Sequence, residues 1–399
     1  MDLHSSKPYS LVRHGIIRSY PSIAEDLHTD AVVLGAGITG ALVAWHLMNA
    51  GIATVVLDKR HVGMGSTAAS TALLQYEIDI TLEELTSKRG KKDAEASYLL
   101  CRDAIYKIES ICALLELETG FTRKVSFQYA SYKSHAPQLM REFKLRKNIG
   151  LNLEILGQAE IVKLFGIKKE AGLLSADGAS VDAYLLTHAL LDRSIEMGLK
   201  VFDNTEVIKI ENKRDQVLLK TDWGPTITAK KLIIACGYES QKYLPKKVET
   251  FWSTYAIASE IAERVPWYKN SLIWETARPY LYMRTTDDNR IIVGGKDDKF
   301  SNPIIRDQRL DGKSRELTKS FEKLFPEKEF RRDFAWAGTF ASTRDGLPYI
   351  GKIPQRPNTW FALGFGGNGI TFSAIAAEII RDELCDKTNN GTKLFSFVR

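Results

Sequence analysis

Three glycines near the N-terminus have the spacing of a phosphate-binding turn. Gly35, Gly37 and Gly40 fit the pattern GxGxxG, and Asp58 follows at about the 20-residue spacing typical of a ribose-binding acid. In such a turn the first glycine permits a sharp bend, the second lets a pyrophosphate approach the backbone, and the third lets a helix pack closely on a strand. The spacing predicts a dinucleotide site; the alternative is a glycine-rich turn in an ordinary α/β protein.

Two further segments of small residues indicate a long cofactor. The stretch from Gly63 to Thr71 is small and polar, which suits a loop beside a pyrophosphate and a flat ring. The stretch from Gly364 to Thr371 leads into a helix, whose N-terminus attracts anionic groups such as the N1/C2 edge of a reduced flavin. A single cofactor that touches both segments must be long, which favours FAD over NAD. For either segment taken alone, the alternative is a flexible loop.

The elements around the first motif predict a buried strand–turn–helix–strand unit. Residues 31–57 contain no Asp, Glu, Lys or Arg, which by length alone would admit a membrane span, but four glycines interrupt them. We therefore predict strands over 31–34 and 53–57 and a helix over 39–50. Further helices are expected over 82–118, 314–325 and 371–384, with a strand-rich segment over 249–294 and an arm up to His28.

Composition limits the remaining classes of protein. The chain has 399 residues, 44% of them hydrophobic, which is enough for two domains with large cores. The net charge of +6 is spread over short clusters, so we expect no nucleic-acid partner. The four cysteines form no CxxC pair and no disulfide framework, and the N-terminus has no signal-peptide pattern. We expect a cytoplasmic protein with no metal site and no transmembrane segment.

Seven segments in order give the chain a family resemblance. They include VVLGAGITGALVAWHLMNAG, VLDKRHVGMGSTAAS, WAGTFASTRDGLPYIG and FALGFGGNGITFSAIAAEII. The chain resembles the D-amino-acid oxidase (DAO) superfamily of FAD-dependent oxidoreductases, and within it the gamma-glutamylputrescine oxidases and glycine oxidases. The resemblance runs from about Tyr9 to about Leu384.

The resemblance implies an α/β fold, α+β overall, in which a Rossmann-like FAD-binding domain is interleaved with a substrate domain built on a mixed β-sheet. We expect the FAD-binding domain over 28–80, 155–240 and 335–385, the substrate domain over 81–154 and 241–334, and an N-terminal arm over 1–27. Family members with covalent flavin have a cysteine in the stretch matching 338–342, where this chain has none, so the resemblance implies non-covalent FAD. The implied cofactor-binding residues are Gly35, Gly37, Ile38, Thr39, Gly40, Asp58, Lys59, Gly65, Ser66, Thr67, Ser70, Thr71, Ala72, Leu73, Val207, Ala235, Gly237, Gly366, Gly367, Asn368, Gly369, Ile370 and Thr371.

The resemblance also indicates candidate catalytic residues. Tyr255, Tyr282, Arg284 and Phe340, together with Trp336, lie on segments that face the flavin in relatives. The tyrosines suit an aromatic slot for an amine, with sheet packing as the alternative, and the arginine suits a substrate carboxylate, with a surface salt bridge as the alternative. Phe340 stands where glycine oxidases have the arginine that clamps the substrate carboxylate, which favours an amine or a carboxylate held elsewhere.

Two charged candidates near the flavin have structural alternatives of at least equal weight. Glu77 suits a cationic substrate, but a structural role is equally plausible. Lys296 would assist oxygen by its charge, but its neighbours Asp297 and Asp298 favour a solvated turn.

The reaction expected is hydride transfer from the C–N bond of a small amine or amino acid to flavin N5, which gives an imine that hydrolyses. Oxygen or another acceptor then takes the electrons. A 2-hydroxy acid dehydrogenase on the same fold and a structural flavoprotein without activity are the alternatives.

Overall fold

A computed structural model describes residues 1–263 and 267–399. Residues 264–266, which fall in the range 241–334 predicted for the substrate domain, lie outside the described residues. The strands are β1 (His4–Ser6), β2 (Leu27–Leu34), β3 (Thr54–Leu57), β4 (Leu73–Gln75), β5 (Thr122–Tyr129), β6 (Leu153–Gly157), β7 (Ala171–Ser180), β8 (Lys200–Phe202), β9 (Val207–Asn212), β10 (Val217–Thr221), β11 (Thr226–Ile234), β12 (Thr250–Ser259), β13 (Leu272–Glu275), β14 (Tyr282–Thr285), β15 (Ile291–Asp298), β16 (Arg332–Ser342), β17 (Tyr349–Ile353) and β18 (Arg356–Leu363). The helices are α1 (Tyr9–His14), α2 (Ile38–Asn49), α3 (Ser66–Ala69), α4 (Leu82–Arg89), α5 (Lys91–Leu115), α6 (Ala136–Asn148), α7 (Gln158–Phe165), α8 (Ala183–Glu196), α9 (Pro303–Leu324), α10 (Gly369–Leu384) and α11 (Gly391–Leu394).

The first sheet has a parallel centre that begins with the predicted strand–turn–helix–strand unit. Its path is β17-β18-β11-β2-β3-β8, with β10 paired to β11 and β9. Strands β18, β11, β2, β3 and β8 run parallel, and α2 packs against α8 and α10. Such a sheet is covered on both faces, which explains why Val32 and Val33 are fully buried in a run without charges.

Helix α2 begins and ends where the sequence predicts, to within one residue. Gly37 precedes it in extended backbone, and Gly51, with a φ of 74°, turns the chain after it. Ala41, Leu42, Val43 and Ala44 are completely buried. Burial of one such leucine stabilises the fold by about 1.5–3 kcal/mol, so this helix is held by packing against its neighbours.

The second sheet is mixed and long. Its path is β1-β16-β12-β15-β14-β13-β5-β7-β4, with β6 on β7. The pair β13–β5 is parallel and the other pairs are antiparallel. Helix α9 packs across β12, β15 and β16 over a cluster that includes Tyr255, Val293 and Leu317.

Four local predictions are wrong. The single helix over 82–118 is two helices, because Gly90 has a φ of 82°. Helix α9 begins at Pro303, earlier than 314, because the Asn302 side chain caps its first turn. The N-terminal arm, predicted to contain two short extended pieces, has the helix α1 after the strand β1, and Lys296–Asp298 belongs to β15 and is no solvated turn.

The sheets divide the chain differently from the predicted domain ranges at two places. Strands β4 and β7 fall in ranges predicted for the FAD-binding domain, yet both belong to the second sheet because β7 pairs with β4, β5 and β6. The domain division itself stays a prediction. In the described part of the chain, no helix combines the length and the apolar character that crossing a membrane requires.

Candidate active site

A single long cavity is lined by residues of both sheets. It encloses about 1900 Å³ of empty space, part of it open to solvent. It reaches from Gly35 and Asp58 beside the first sheet to Tyr282 and Trp336 on the second. Most of the predicted cofactor-binding residues line it: Gly35, Gly37, Ile38, Thr39, Asp58, Lys59, Gly65, Ser66, Thr67, Ser70, Thr71, Ala72, Leu73, Val207, Ala235, Gly237, Gly366, Gly367, Gly369 and Ile370.

The glycine turn after β2 has no space for side chains. Gly35 has a φ of 109°, and a Cβ there would lie 2.5 Å from the carbonyl oxygen of Ala235. A Cβ on Gly37 would lie 2.8 Å from Thr67 Oγ1, and one on Gly40 would overlap the carbonyl oxygen of Gly35. Gly40 does not line the cavity, so its contribution is the close packing of α2 on β2.

The start of α2 carries hydrogen-bonding capacity that suits a diphosphate. No side chain caps Gly37, and the Ile38 amide donates to Thr67 Oγ1 at 3.0 Å. The Ser66 hydroxyl is buried and has no hydrogen-bond partner within 1–263 and 267–399. Buried hydroxyls are normally paired, so a ligand oxygen at this position explains Ser66. The residues present therefore fit the diphosphate of a dinucleotide.

Asp58 connects the glycine turn to the end of β3. Its Oδ2 accepts a hydrogen bond from the Ala36 amide at 2.7 Å, and its Oδ1 accepts one from the Arg60 amide at 2.9 Å. Burial raises the pKa of Asp58 above its ordinary value, although both amides oppose that shift. The carboxylate lines the cavity with acceptor capacity left for ribose hydroxyls.

A cluster of charges beside Asp58 was missed by the sequence analysis. Glu239 accepts hydrogen bonds from Lys59 and Arg60 at 2.9 Å and from the Met1 ammonium at 2.7 Å. Burial raises the pKa of Glu239, but these donors outweigh burial and lower it to about 2. Lys59 therefore lines the cavity while its ammonium is paired with Glu239. The only sequence signal was an acid two residues after Gly237.

The second glycine loop is fixed to the segment that follows β4. The Asn368 amide group donates to the carbonyls of Gln75 at 3.1 Å and Glu77 at 2.9 Å, and Thr371 Oγ1 lies 3.5 Å from the Gln75 carbonyl. Asn368 and Thr371 do not line the cavity; their side chains hold the loop in place, and their direct contact with the cofactor stays a prediction. Asp79 also holds this loop by accepting the Gly367 amide at 2.7 Å.

The predicted catalytic residues differ in their positions. Arg284 does not line the cavity; it is 8% exposed and donates to the carbonyls of Thr71 at 2.5 Å and Thr285 at 3.2 Å. Its guanidinium fixes the loop over 70–73 from outside the cavity, and its contact with a substrate carboxylate stays a prediction. Tyr255 lines the cavity, but its ring packs under α9 and its hydroxyl donates to Asp298 at 3.1 Å.

The other two candidates lie in the cavity. The Tyr282 ring covers Gly294, where a Cβ would overlap it, and packs 5.8 Å from the ring of Tyr280. Phe340 stacks with Trp252 at a centroid distance of 6.4 Å. Trp336 also lines the cavity and donates to the Ala69 carbonyl at 2.9 Å.

Glu77 lies outside the cavity, which agrees with its structural alternative. It is 6% exposed. Burial raises its pKa to about 7, although the Arg146 charge opposes this.

The parallel sheet and the glycine turn define a dinucleotide-binding fold, and a second sheet lines the same cavity. Over residues 30–383 the chain matches the family described as "DAO: FAD dependent oxidoreductase". Because this match covers most of its length, the chain belongs to that family.

Named relatives are similar over nearly the whole chain. Glycine oxidase from Geobacillus kaustophilus is 24% identical over 367 residues, covering 88% of this chain and 92% of the relative. Gamma-glutamylputrescine oxidoreductase from Escherichia coli is 23% identical over 380 residues, covering 92% and 85%. The crystal structure of the Geobacillus kaustophilus glycine oxidase superposes with a TM-score of 0.79 at 18% identity, covering 94% of this chain and 99% of that one. The predicted fold class and family are thus confirmed: the chain is an enzyme, and its cofactor is non-covalent FAD.

Proposed function

We propose that this enzyme oxidises the C–N bond of a small amine or amino acid. The observation that carries the proposal is the single cavity, which joins the phosphate-binding turn of the first sheet to an aromatic wall on the second. Relatives named glycine oxidase and gamma-glutamylputrescine oxidoreductase act on nitrogen compounds by name, which supports the same chemistry here. When bound, FAD supplies the two-electron acceptor for a hydride from the carbon beside the nitrogen.

Residues of the first sheet would hold the nucleotide half of the cofactor. In this proposal the amides at the start of α2 and the Ser66 hydroxyl bind the diphosphate, and Asp58 accepts hydrogen bonds from the ribose. Val207 and Gly237 border the adenosine. The helix N-terminus at Gly369 would face the flavin edge that becomes negative on reduction.

Residues of the second sheet would orient the substrate and limit water. Tyr282, Trp336 and Phe340 form an apolar wall, and Arg284 fixes the Thr71 carbonyl in the loop that would pass beside the flavin ring. A dry wall favours the neutral amine, which is the form that gives up a hydride, over the ammonium ion. The imine product then needs only water to give a carbonyl compound and ammonia or a smaller amine.

A 2-hydroxy acid is a weaker candidate substrate. Oxidation of a C–OH bond benefits from a histidine that takes the hydroxyl proton. All seven histidines lie in the described part of the chain, and none lines the cavity. A purely structural flavoprotein is also disfavoured, because the cavity beside the proposed flavin loop is open to solvent.

The electron acceptor and the compartment are parts of the same proposal. Either oxygen or another oxidant reoxidises the flavin, and the rate with and without oxygen distinguishes them. The cysteines Cys101, Cys112, Cys236 and Cys385 are all free thiols, which supports a cytoplasmic location.

Product analysis tests this proposal. The FAD-loaded enzyme is incubated with amines, amino acids and 2-hydroxy acids and an artificial electron acceptor, and ammonia and carbonyl products are measured. We expect a carbonyl compound together with equimolar ammonia or a smaller amine. Turnover of 2-hydroxy acids alone, without nitrogen release, would overturn the proposal.

A further inference from the structure

The cavity has basic residues at its nucleotide end only. Its basic lining residues, within the described ranges, are Lys59, Arg60 and Lys242. The first two pair with Glu239. Lys242 lies in the same short 3-10 helix, Gly237–Tyr243, as this glutamate. We use the name second-sheet wall for the cavity-lining residues of β12, β14, β15 and β16 together with Tyr280. This wall includes no lysine, arginine or histidine. A substrate carboxylate would find no cation there.

The second-sheet wall instead has one carboxylate. Asp297 lies near the end of β15 and lines the cavity, whereas its neighbour Asp298 faces α9 and bonds to Lys313 at 2.9 Å and Arg309 at 3.1 Å. Asp297 Oδ1 is buried and has no hydrogen-bond partner among residues that the structure describes. Burial raises the pKa of Asp297 to about 6, so the group is largely ionised at neutral pH.

Asp297 is half-buried, and Thr254 lies within hydrogen-bonding reach of its carboxylate, but the buried Oδ1 has no donor among the described residues, which costs free energy unless a ligand cation joins it. Lys313, which opposes the shift of the Asp297 pKa, is already paired with Asp298. Tyr280 and Tyr282 stand on the same wall, and the Arg278 guanidinium, 5.3 Å from the centroid of the Tyr280 ring, shows that this ring attracts a cation. The Asp79 carboxylate accepts the Tyr280 hydroxyl at 2.8 Å and so fixes that ring. These residues together match an ammonium or guanidinium group of a ligand.

The cation cannot be the nitrogen that reacts. A carboxylate beside an ammonium stabilises its charged form, and the charged form does not release a hydride from the neighbouring carbon. Asp297 therefore suits a second, non-reacting cation of the same molecule.

Resting on the proposed C–N oxidation, we propose that the substrate is an alkyl diamine or polyamine without a carboxylate, and that Asp297 binds its non-reacting ammonium group. Two observations agree with this class: the second-sheet wall, Phe340 included, has no basic residue, and the buried Oδ1 of Asp297 has no donor among the described residues.

A matched set of three compounds tests the inference. 1,4-Diaminobutane, butylamine and 4-aminobutanoate share one amine and a four-carbon chain and differ in the far group, which is a cation, a methyl group or an anion. The FAD-loaded enzyme is mixed with each compound without oxygen, and the rate of flavin bleaching divided by the half-saturating concentration is compared. We expect the diamine to exceed butylamine by at least about tenfold, the value of one charge-assisted contact, and 4-aminobutanoate to be the poorest.

Two neighbouring variants separate recognition from folding. Asp297→Asn should bring the ratio of diamine to butylamine close to one. Asp298→Asn removes the same charge one residue along, on the face toward α9, and should keep the ratio. FAD content and thermal unfolding are measured for both variants. The ratio of diamine to butylamine, measured on a variant that retains FAD, decides whether Asp297 binds the ammonium group.

The outcomes distinguish this inference from the proposed function. Bleaching by butylamine or 4-aminobutanoate as fast as by the diamine, or a diamine preference that survives in Asp297→Asn, would overturn the inference. Bleaching by glycine or other amino acids alone would overturn the inference and leave C–N oxidation standing. Bleaching by 2-hydroxy acids alone would overturn both.

Discussion

Replacement of Asp58 by alanine tests how the chain holds the nucleotide. The variant removes the acceptors of two backbone amides. Ala36 is fully buried, so its amide would lose its partner without gaining water, at a cost of about 1–3 kcal/mol in the free energy of unfolding. The amide of Arg60 loses its acceptor as well, in a bond that is only partly buried.

Affinity for FAD should fall further than stability. Loss of hydrogen bonds from ribose hydroxyls to a carboxylate costs about 1.5–3 kcal/mol, which corresponds to roughly ten- to a hundredfold in Kd. Titration of apoprotein with FAD, followed by quenching of flavin fluorescence, gives the Kd. Thermal unfolding of the apoprotein gives the stability change separately.

Two controls accompany this variant. Asp58→Asn keeps one acceptor oxygen and should give intermediate values. Asp30→Ala removes an acid of the neighbouring strand β2, which pairs with Lys230 at the surface, and should leave the Kd unchanged. If Asp58→Ala bound FAD as tightly as the unmodified chain, the assignment of Asp58 to the ribose would be wrong.

Three further predictions concern packing, the flavin loop and pH. Gly40→Ala should destabilise the protein by at least about 1–3 kcal/mol, because the new Cβ overlaps the Gly35 carbonyl; urea unfolding measures this, and an unchanged midpoint would refute the packing argument. Arg284→Ala should leave FAD binding largely intact but slow flavin reduction, because the Thr71 carbonyl loses its donor. Lys231→Ala, which removes an unrelated cation of the first sheet, is the control, and an equally slow flavin reduction in this variant would show that the effect is nonspecific. Burial raises the pKa of Glu249 from 4.5 to about 8. Between pH 4.5 and pH 8 the folded protein therefore holds a proton on Glu249 that the unfolded protein has released, so the free energy of unfolding falls as the pH rises toward 8. Glu249→Gln should therefore gain on the order of 3 kcal/mol relative to the unmodified chain between pH 5 and pH 8, and parallel curves for the two proteins would contradict this.

The nucleotide-binding half was predictable because its signals are local. Steric demands at Gly35 and Gly40 act within one turn, and apolar residues on both sides of a strand mark a parallel sheet. The start of α2 therefore falls where the spacing places it. The same reasoning explains why the two glycine loops were identified as neighbours of one cavity.

The second-sheet wall was not predictable because its side chains are placed by pairing between distant strands. Lys296, Asp297 and Asp298 look like a polar turn in sequence, but they belong to β15, where consecutive side chains point to opposite faces and the two acids therefore part. Arg284 looks like a free cation, but its partner is a carbonyl some 213 residues away in sequence.

The most direct test of the account is the visible spectrum of the FAD-loaded protein during anaerobic addition of an amine. The account predicts that an amine or amino acid bleaches the flavin absorbance and yields a carbonyl product with released nitrogen. A protein that binds no FAD, or whose flavin only a 2-hydroxy acid reduces, would contradict it.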